Sequence, residues 1–444
     1  MVKSTLRYYP GILILAAMLL GCSIPTRQIV SDTQSISEYF QLSQITTAQS
    51  NNHIQIVTGG SETFQTLNYR ISRAKESIYF SAYIFQSDFT GQRISRLLMR
   101  KAQEGLDVRL LLDAWGSIFF EEALEEELRQ AGVHVEYFRP FEVLRPYRHL
   151  LRNHRRMLIV DGRYALTGGF AIQDVWADMY DFTVEDIQIW VQGPMVRDFE
   201  DLFLNDWCEA IGSKPDPLCA SNTDSTLALE SIPAPPGKRY EKYPVVEQES
   251  RDCNPLGNGC TGPGSLLATS DAKNPAANYH FFSRAISLSR QRIWMATPYF
   301  IPDTRFMELL RQACQRGVDV RLVMASQESI QEFPVSYVRN PYIRELLDMG
   351  ARVFVFEDGF LHSKASIFDE ELSIVGTSNL DRRSFDYNRE IDVVSYDVRI
   401  NESLGRVLER YIGVSRELTL EEMDARSLWV RILEIVWWPL TPQL

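Results

Sequence analysis

The chain alternates short, near-continuous apolar runs with stretches whose apolar residues recur at helical spacing. Ser77-Ile-Tyr-Phe-Ser-Ala-Tyr-Ile-Phe85 is rich in β-branched and aromatic residues and predicts a strand. Arg93 to Ala102 then shows helical spacing, and Gly105 stops it. Val108 to Leu112 reads as a strand buried on both faces. Glu121 to Arg129 predicts a further helix ended by Gly132, and Val133 to Phe138 another strand. The same order returns later. Arg292 to Phe300 answers the first strand, and Phe306 to Arg316 the helix. Gly317-Val-Asp-Val-Arg-Leu-Val-Met324 answers Gly105-Leu-Asp-Val-Arg-Leu-Leu-Leu112, at an offset of 212 residues. Ile343 to Leu347 and Val353 to Phe356 complete the second series. A repeat this long is a duplicated structural unit. Strands alternating with helices make it α/β, with a largely parallel or mixed sheet.

The pattern lapses in three places, which sets the expected boundaries. Lys3 and Arg7 precede the apolar run Ile12 to Leu20, well short of the ~20 residues a spanning helix needs. Residues 1–21 therefore read as a signal peptide. Leu19-Leu20-Gly21-Cys22 resembles a bacterial lipobox, with Cys22 as the lipid-modified residue. Ser23 after it fits sorting to the outer membrane, facing the periplasm. Residues 22–50, rich in Ser, Thr and Gln, read as a tether with a short helix near Ile36 to Leu42. The first half is expected over 51–210 and the second over 265–425. Residues 211–264, rich in Pro, Gly, Ser and Asn, form a linker between them. Residues 426–444 are an amphipathic tail with Trp429 and Trp438 at its ends, suited to a membrane interface or to packing on the core.

Composition changes this picture only a little. At 444 residues, 45% hydrophobic and 23% charged, the chain is ordinary globular protein. The formal charge is −12, and removing residues 1–21 takes away Lys3 and Arg7 to leave −14. An acidic chain is poorly suited to nonspecific nucleic-acid binding, so no nucleic-acid partner is expected. Outside the cytoplasm the six cysteines can pair. Cys208 with Cys219 and Cys253 with Cys260 are the expected disulfides, with Cys314 left over. Zinc fits poorly, because no C-x-x-C occurs and no histidine neighbours these pairs.

The chemistry lies in two copies of one half-site. His362, Lys364 and Asp369 form H-x-K-x-x-x-x-D, followed by Gly376, Ser378, Asn379 and Glu390. His154, Arg156 and Asp161 repeat the spacing 208 residues upstream. His and Lys two apart on a strand share one face. A neighbouring cation favours the neutral imidazole, leaving a nitrogen free to attack, and also neutralises anionic oxygens. Ser378 and Asn379 add neutral donors for those oxygens. Glu390 is expected to accept from the other ring nitrogen of His362. Asp161 and Asp369 belong to the motif but are expected to close turns or pair within the site. Two such half-sites face to face supply one His as nucleophile and one as general acid. That describes phosphodiester cleavage through a phosphohistidine. No carboxylate cluster suited to a divalent ion accompanies the motifs, so neither metal nor cofactor is expected.

These motifs resemble the phospholipase D superfamily, and within it the bacterial cardiolipin synthases. Thr297-Pro-Tyr-Phe-Ile-Pro-Asp303, Gly376-Thr-Ser-Asn379 running into Leu380-Asp-Arg-Arg-Ser-Phe385, Leu112-Asp-Ala-Trp-Gly-Ser117 and Asn153-His-Arg all carry the likeness, which covers residues 54–444. The resemblance implies two similar α/β/α halves with a mixed sheet each and one active site at their interface. It implies His154 as nucleophile and His362 as acid, and needs no oligomer to complete the site. Two departures stand out: Arg156 where the family has Lys, and Ala171 where its first half carries Asn. The acid partner expected late in the first half is Asp186, with Glu185 as fallback. Arg139, Arg145, Arg148, Arg152, Arg155 and Arg156 run up to the first motif as a candidate surface for anionic headgroups. The reading is phosphatidyl transfer on phospholipid at a membrane surface, giving cardiolipin with a phosphatidylglycerol acceptor or phosphatidic acid with water. The alternatives are a nuclease or other phosphodiesterase of the superfamily, or a weakly catalytic phospholipid-binding envelope protein.

Overall fold

A computed structural model describes residues 49–141, 150–212, 214–219, 254–257, 259–269, 276–327, 329 and 334–443. The signal peptide, Cys22, nearly all of the tether, most of the linker, Cys253, Arg145 and Arg148 lie outside them.

The first half begins with β1 (Gln49–Thr58) and α1 (Gly60–Arg73), followed by β2 (Ser77–Ala82) and α2 (Phe89–Gln103). Next come β3 (Asp107–Asp113), α3 (Glu122–Gln130), β4 (His134–Phe138), β5 (Met157–Val160) and β6 (Tyr164–Gly168). β7 (Val184–Glu185), β8 (Ile187–Gln192) and α4 (Met195–Ile211) close it. The second half repeats the series as β9 (Cys260–Ala268), α5 (Ala277–Leu288), β10 (Arg292–Thr297), β11 (Phe300–Ile301) and α6 (Thr304–Gln315). β12 (Asp319–Ala325), α7 (Val335–Val338), α8 (Asn340–Asp348), β13 (Arg352–Phe356), β14 (Phe360–Leu361), β15 (Ala365–Phe368) and β16 (Leu372–Gly376) follow. The last elements are β17 (Leu380–Asp381), β18 (Ile391–Ser395), α9 (Val398–Gly413), β19 (Arg416–Leu418), α10 (Leu420–Asp424) and α11 (Leu428–Trp437).

The duplication is visible in the sheet order, β19-β13-β12-β10-β15-β16-β18-β9-β1-β8-β6-β5-β2-β3-β4. Apart from the added edge strand β19, the order is a palindrome about the β9–β1 seam. β2, β3 and β4 are parallel, as are β10, β12 and β13, while the strands nearer the seam are antiparallel. At the seam itself Asn52, His53 and Ile54 face Gly262, Thr261 and Cys260 in an antiparallel pair. Equivalent strands paired antiparallel place a local two-fold at the seam. The expected α/β class with two like halves is therefore what the chain adopts, with one correction: the two mixed sheets are joined into one. Pairing β1 with β9 leaves neither half an open edge there. β9 starts at Cys260, inside the stretch read as linker, because that pairing draws it into the sheet.

Helices cover both faces. α4 and α9 lie over one core cluster that runs without a break through both halves, from Ile54, Phe199 and Trp207 to Leu404 and Tyr411. On the other face each half keeps its own core, beneath α1 to α3 and beneath α5, α6 and α8. Cys208 and Cys219 form the expected disulfide. Cys260 is also disulfide-bonded and Cys314 is free.

Candidate active site

The two motif aspartates sit at the far ends of their strands from the histidines. Asp161 and Asp369 each occupy the left-handed region, at φ 55° and 51°, which Asp tolerates better than most residues. Asp161 accepts from the amides of Lys75, Glu76 and Ser77 at 2.7–3.1 Å. Asp369 accepts from Arg290, Gln291 and Arg292 at 2.8–3.1 Å. Each therefore ties its hairpin turn to the start of the neighbouring strand, β2 or β10. Asp161 and Asp369, which the motif groups with its catalytic residues, are thus turn-closing residues that do not reach the histidines.

The histidines are brought together by an exchange between halves. β14 pairs in parallel with β7, and the amide of His362 donates to Glu185 O at 2.8 Å. In the mirror arrangement the amide of His154 donates to Arg389 O at 3.0 Å. Each motif is thereby laid against the other half's acidic segment. His154 Nδ1 lies 2.9 Å from both oxygens of Glu390. His362 Nδ1 lies 3.0 Å from Asp186 Oδ2. The expectation that Glu390 steadies His362 is thus corrected. The carboxylates are crossed because the strands that carry them are crossed.

The opposite ring nitrogens face the cations. Arg156 Nη2 is 2.9 Å from His154 Nε2, and Lys364 Nζ is 2.8 Å from His362 Nε2. A guanidinium can only donate, so His154 Nε2 accepts and Nδ1 carries the proton toward Glu390. Tyr83 stands edge-on to His154 at 4.8 Å, and Trp176 edge-on to His362 at 5.3 Å. Both imidazoles are buried, and their pKa values fall well below the ordinary range. Burial is the main cause, with Arg156 and Lys364 adding to it. Burial also lowers Lys364 to about 7 and raises Glu390 to about 7 and Asp186 to about 6. At each of these groups burial disfavours the charged form.

The surroundings of the two carboxylates differ. Glu390 accepts from Thr377 Oγ1 at 2.6 Å, Ser384 Oγ at 2.8 Å and Asn388 Nδ2 at 3.3 Å. Asp186, one methylene shorter, accepts from its neighbour's amide, Ile187 N, at 2.8 Å. A Cβ at Gly169, the counterpart of Thr377, would meet Asp186 Oδ2 at 2.4 Å, so this glycine makes room for the carboxylate.

Of the two expected phosphate donors, Ser378 is otherwise engaged. Its hydroxyl donates to Asp392 Oδ2 at 2.5 Å and accepts from Asn278 Nδ2 at 3.1 Å. Asn379 is buried, and its Oδ1, which can only accept, has no hydrogen bond among the described residues. In the first half the counterparts are Phe170 and Ala171, both buried and both without a donor.

The described members of the arginine run, Arg139, Arg152, Arg155 and Arg156, are buried and do not form an exposed headgroup surface. Arg152 and Arg155 are 2% and 1% exposed. Arg152 lies 3.2 Å from Asp113, and Arg155 pairs with Asp206 at 2.7 Å while donating to the carbonyls of Glu390 and Thr269. Arg389, from the second half, joins the same Asp206 at 2.8 Å and Glu209 at 2.5 Å, and Arg139 also pairs with Glu209. These cations cross-brace the interface directly beneath the histidines. Tyr83, Trp176 and Asp392 were not singled out from sequence. Tyr83 lay inside the first predicted strand, Ser77 to Phe85, and stands just past the observed end of β2 at Ala82.

Two facing His-cation pairs, each completed by the other half's carboxylate, define a phospholipase D-type enzyme. The comparisons make the class narrower. Residues 67–207 and 282–412 match the family described as "Cardiolipin synthase, PLD-like domain", and the chain belongs to that family. It is 32% identical over 399 residues to the major cardiolipin synthase ClsA of Bacillus subtilis strain 168, covering 88% of this chain and 76% of that one. It is 33% identical to cardiolipin synthase 2 of Bacillus anthracis over 392 residues, covering 87% and 70%. Among solved structures, phosphatidylserine synthase of Haemophilus influenzae Rd KW20 superposes with a TM-score of 0.65 at 15% identity, covering 88% of this chain and 94% of that one. The last likeness is one of fold alone.

Proposed function

We propose that the enzyme moves a phosphatidyl group between alcohols, cardiolipin synthesis from phosphatidylglycerol being the favoured case. The observation that carries this reading is the crossed pairing, which leaves each Nε2 against its own cation and both histidines within the field of both cations. His154 Nε2 attacks phosphorus, and the bond to the leaving alcohol breaks. The departing oxygen takes a proton from His362, which draws on Lys364 at its Nε2. Glu390 balances the positive charge of the phosphorylated imidazole of His154. The acceptor alcohol then gives its proton back to the His362–Lys364 pair as its oxygen attacks phosphorus and the P–N bond breaks. Arg156, Lys364 and the Asn379 amide hold the non-bridging oxygens. Attachment to the outer membrane through Cys22, expected from the lipobox-like Leu19-Leu20-Gly21-Cys22, belongs to the same reading and would keep the site at a lipid surface.

The test is mass spectrometry of lipids after incubating the purified enzyme with phosphatidylglycerol vesicles, beside His154→Ala and His362→Ala. Cardiolipin and free glycerol are expected, and a loss of at least about 10⁴-fold in each variant. Phosphatidic acid as sole product makes the enzyme a hydrolase. Vesicle binding without turnover overturns the reading.

A further inference from the structure

α11 is built inside out. Leu428, Trp429, Ile432, Ile435 and Val436 fall on one stripe of the helix and are exposed, Trp429 at 75% and Ile435 at 74%. On the opposite side Glu434 is buried, bonded to Asn340 Nδ2 at 2.9 Å and paired with Arg426 at 2.9 Å. A helix whose carboxylate faces the protein and whose apolar stripe faces out is matched to an apolar phase outside. Trp429 and Trp438 stand exposed at its two ends, the position such amphipathic rings take at a membrane boundary. Arg431, at the edge of the stripe, is the exposed charged side chain of this helix. Among the neighbouring acids of α10, Glu422 pairs with Arg416 and Asp424 with Arg344. The charge that α11 itself puts beside the stripe is thus cationic, Arg431, while Glu421 of α10 is exposed as well.

A second apolar patch stands at the symmetry-related place. α11 packs against α7, which follows the C-terminal end of β12, and the Trp438 ring stacks on Tyr342 at 5.5 Å. The equivalent of β12 in the first half is β3, and the loop after β3 exposes Trp115, Ile118 and Phe119 at 58%, 65% and 73%. The two patches thus lie beyond the C-terminal ends of equivalent strands of the two halves. The loop leaves β3 at Asp113, whose carboxylate takes the amide of Asn153 beside His154 at 2.9 Å. This second patch therefore adjoins the site.

We propose that the outward face of α11, together with Trp115, Ile118 and Phe119, docks the enzyme on the polar–apolar boundary of an anionic phospholipid leaflet, with the site turned toward it. This goes beyond the proposed reaction and is read without turnover, so the two stand or fall separately.

The N-terminal 48 residues contain no tryptophan, whereas the chain has eight. Tryptophan fluorescence therefore reports the docking face and is blind to an anchor at Cys22. The experiment is quenching of the full chain by phosphatidylglycerol-containing vesicles whose acyl chains carry bromine. Quenching is expected, and Trp429→Phe/Trp438→Phe should lose most of it while folding normally. Trp115→Phe should lose a smaller part. Ile432→Glu/Ile435→Glu in a chain carrying Cys22→Ala should lower vesicle flotation at least about tenfold. Flotation without quenching overturns the proposal. So does a wild-type dimer that Ile432→Glu/Ile435→Glu splits while flotation is unchanged, which assigns the face to a second copy of the chain.

Discussion

In the first half a guanidinium faces His154; in the second a primary amine faces His362. The difference teaches which histidine can do what. Arginine holds its proton at any working pH, so Arg156 can orient and neutralise but cannot pass a proton on. Lys364, lowered to about 7 by burial, can. The duplicated halves are thus no longer interchangeable, and the nucleophile belongs where the proton is immobile. The carboxylates follow the same division. Glu390, with three neutral donors around it, sits on the histidine that must bear a covalent cation, and Asp186 on the one that trades protons.

The sharpest way to break this assignment is to neutralise the two carboxylates in turn. Glu390→Gln should remove the partner of the phosphorylated His154 and cost about 10³-fold in kcat, lowering the amount of trapped phosphohistidine. Asp186→Asn should cost less and act mainly through the pH profile. Without the carboxylate the proton shared by His362 and Lys364 is held less tightly, so the alkaline fall in rate moves to lower pH. Equal losses with unchanged pH profiles for both would erase the distinction between the halves.

Exchanging the cations comes next. Lys364→Arg keeps the charge and removes the mobile proton, and should cost about 10²-fold. The sign of the pH effect follows from the same shift. The protonated amine is the acid form, so activity should fall as pH rises through about 7 in the wild type. In Lys364→Arg that limb should vanish, at a lower plateau. A retained limb near 7 would assign the proton to another group.

The two halves also differ in how they are braced. Asp206 holds Arg155 and Arg389 in a buried cluster, while its counterpart Arg410 meets Glu185 at 3.5 Å on the surface. Asp206→Ala takes the buried Arg155 from its carboxylate, leaves Arg389 with Glu209, and should lower stability by about 3–5 kcal/mol. Arg410→Ala should change it by less than about 1 kcal/mol. Urea unfolding of both variants measures the contrast.

The repeat, the α/β class and the motif histidines were legible because strand and helix periods and fixed spacings are local properties of the chain. The partners of the histidines were not, since the exchange of β7 and β14 between halves is a tertiary event. Reading Glu390 onto His362 assumed that each motif is served by its own half. The arginine run failed for a related reason. Arg152 and Arg155 look like solvated charge until Asp113 and Asp206, distant in sequence, are folded against them. Ser378 was read as a free donor because nothing in the motif announces that Asp392 lies within reach of its hydroxyl. The buried Glu434 is the same lesson at the C-terminus, where helical spacing revealed an apolar stripe but not the direction it faces.

The smallest effect tests whether the two departures of the first half are one. Arg156 is bulkier than lysine, and its Nε has no hydrogen bond among the described residues. Ala171 is smaller than asparagine and brings no donor. An extra donor on one side and a missing donor on the other suit a compensated exchange, in which the guanidinium serves the phosphoryl oxygen that an amide serves in the second half. Ala171→Asn alone then adds volume to a site where Ala171 is 1% exposed, and overpacking of that kind costs about 1–3 kcal/mol. Arg156→Lys alone removes a donor and leaves space. Each single variant should lose about tenfold in kcat/KM, and the double variant should recover most of the loss. The coupling free energy from that cycle, about 1 kcal/mol or more, is the signature of neighbours acting on one group. Simple additivity would show instead that Arg156 and Ala171 arose independently, and that the first half binds its phosphoryl oxygen through the guanidinium alone.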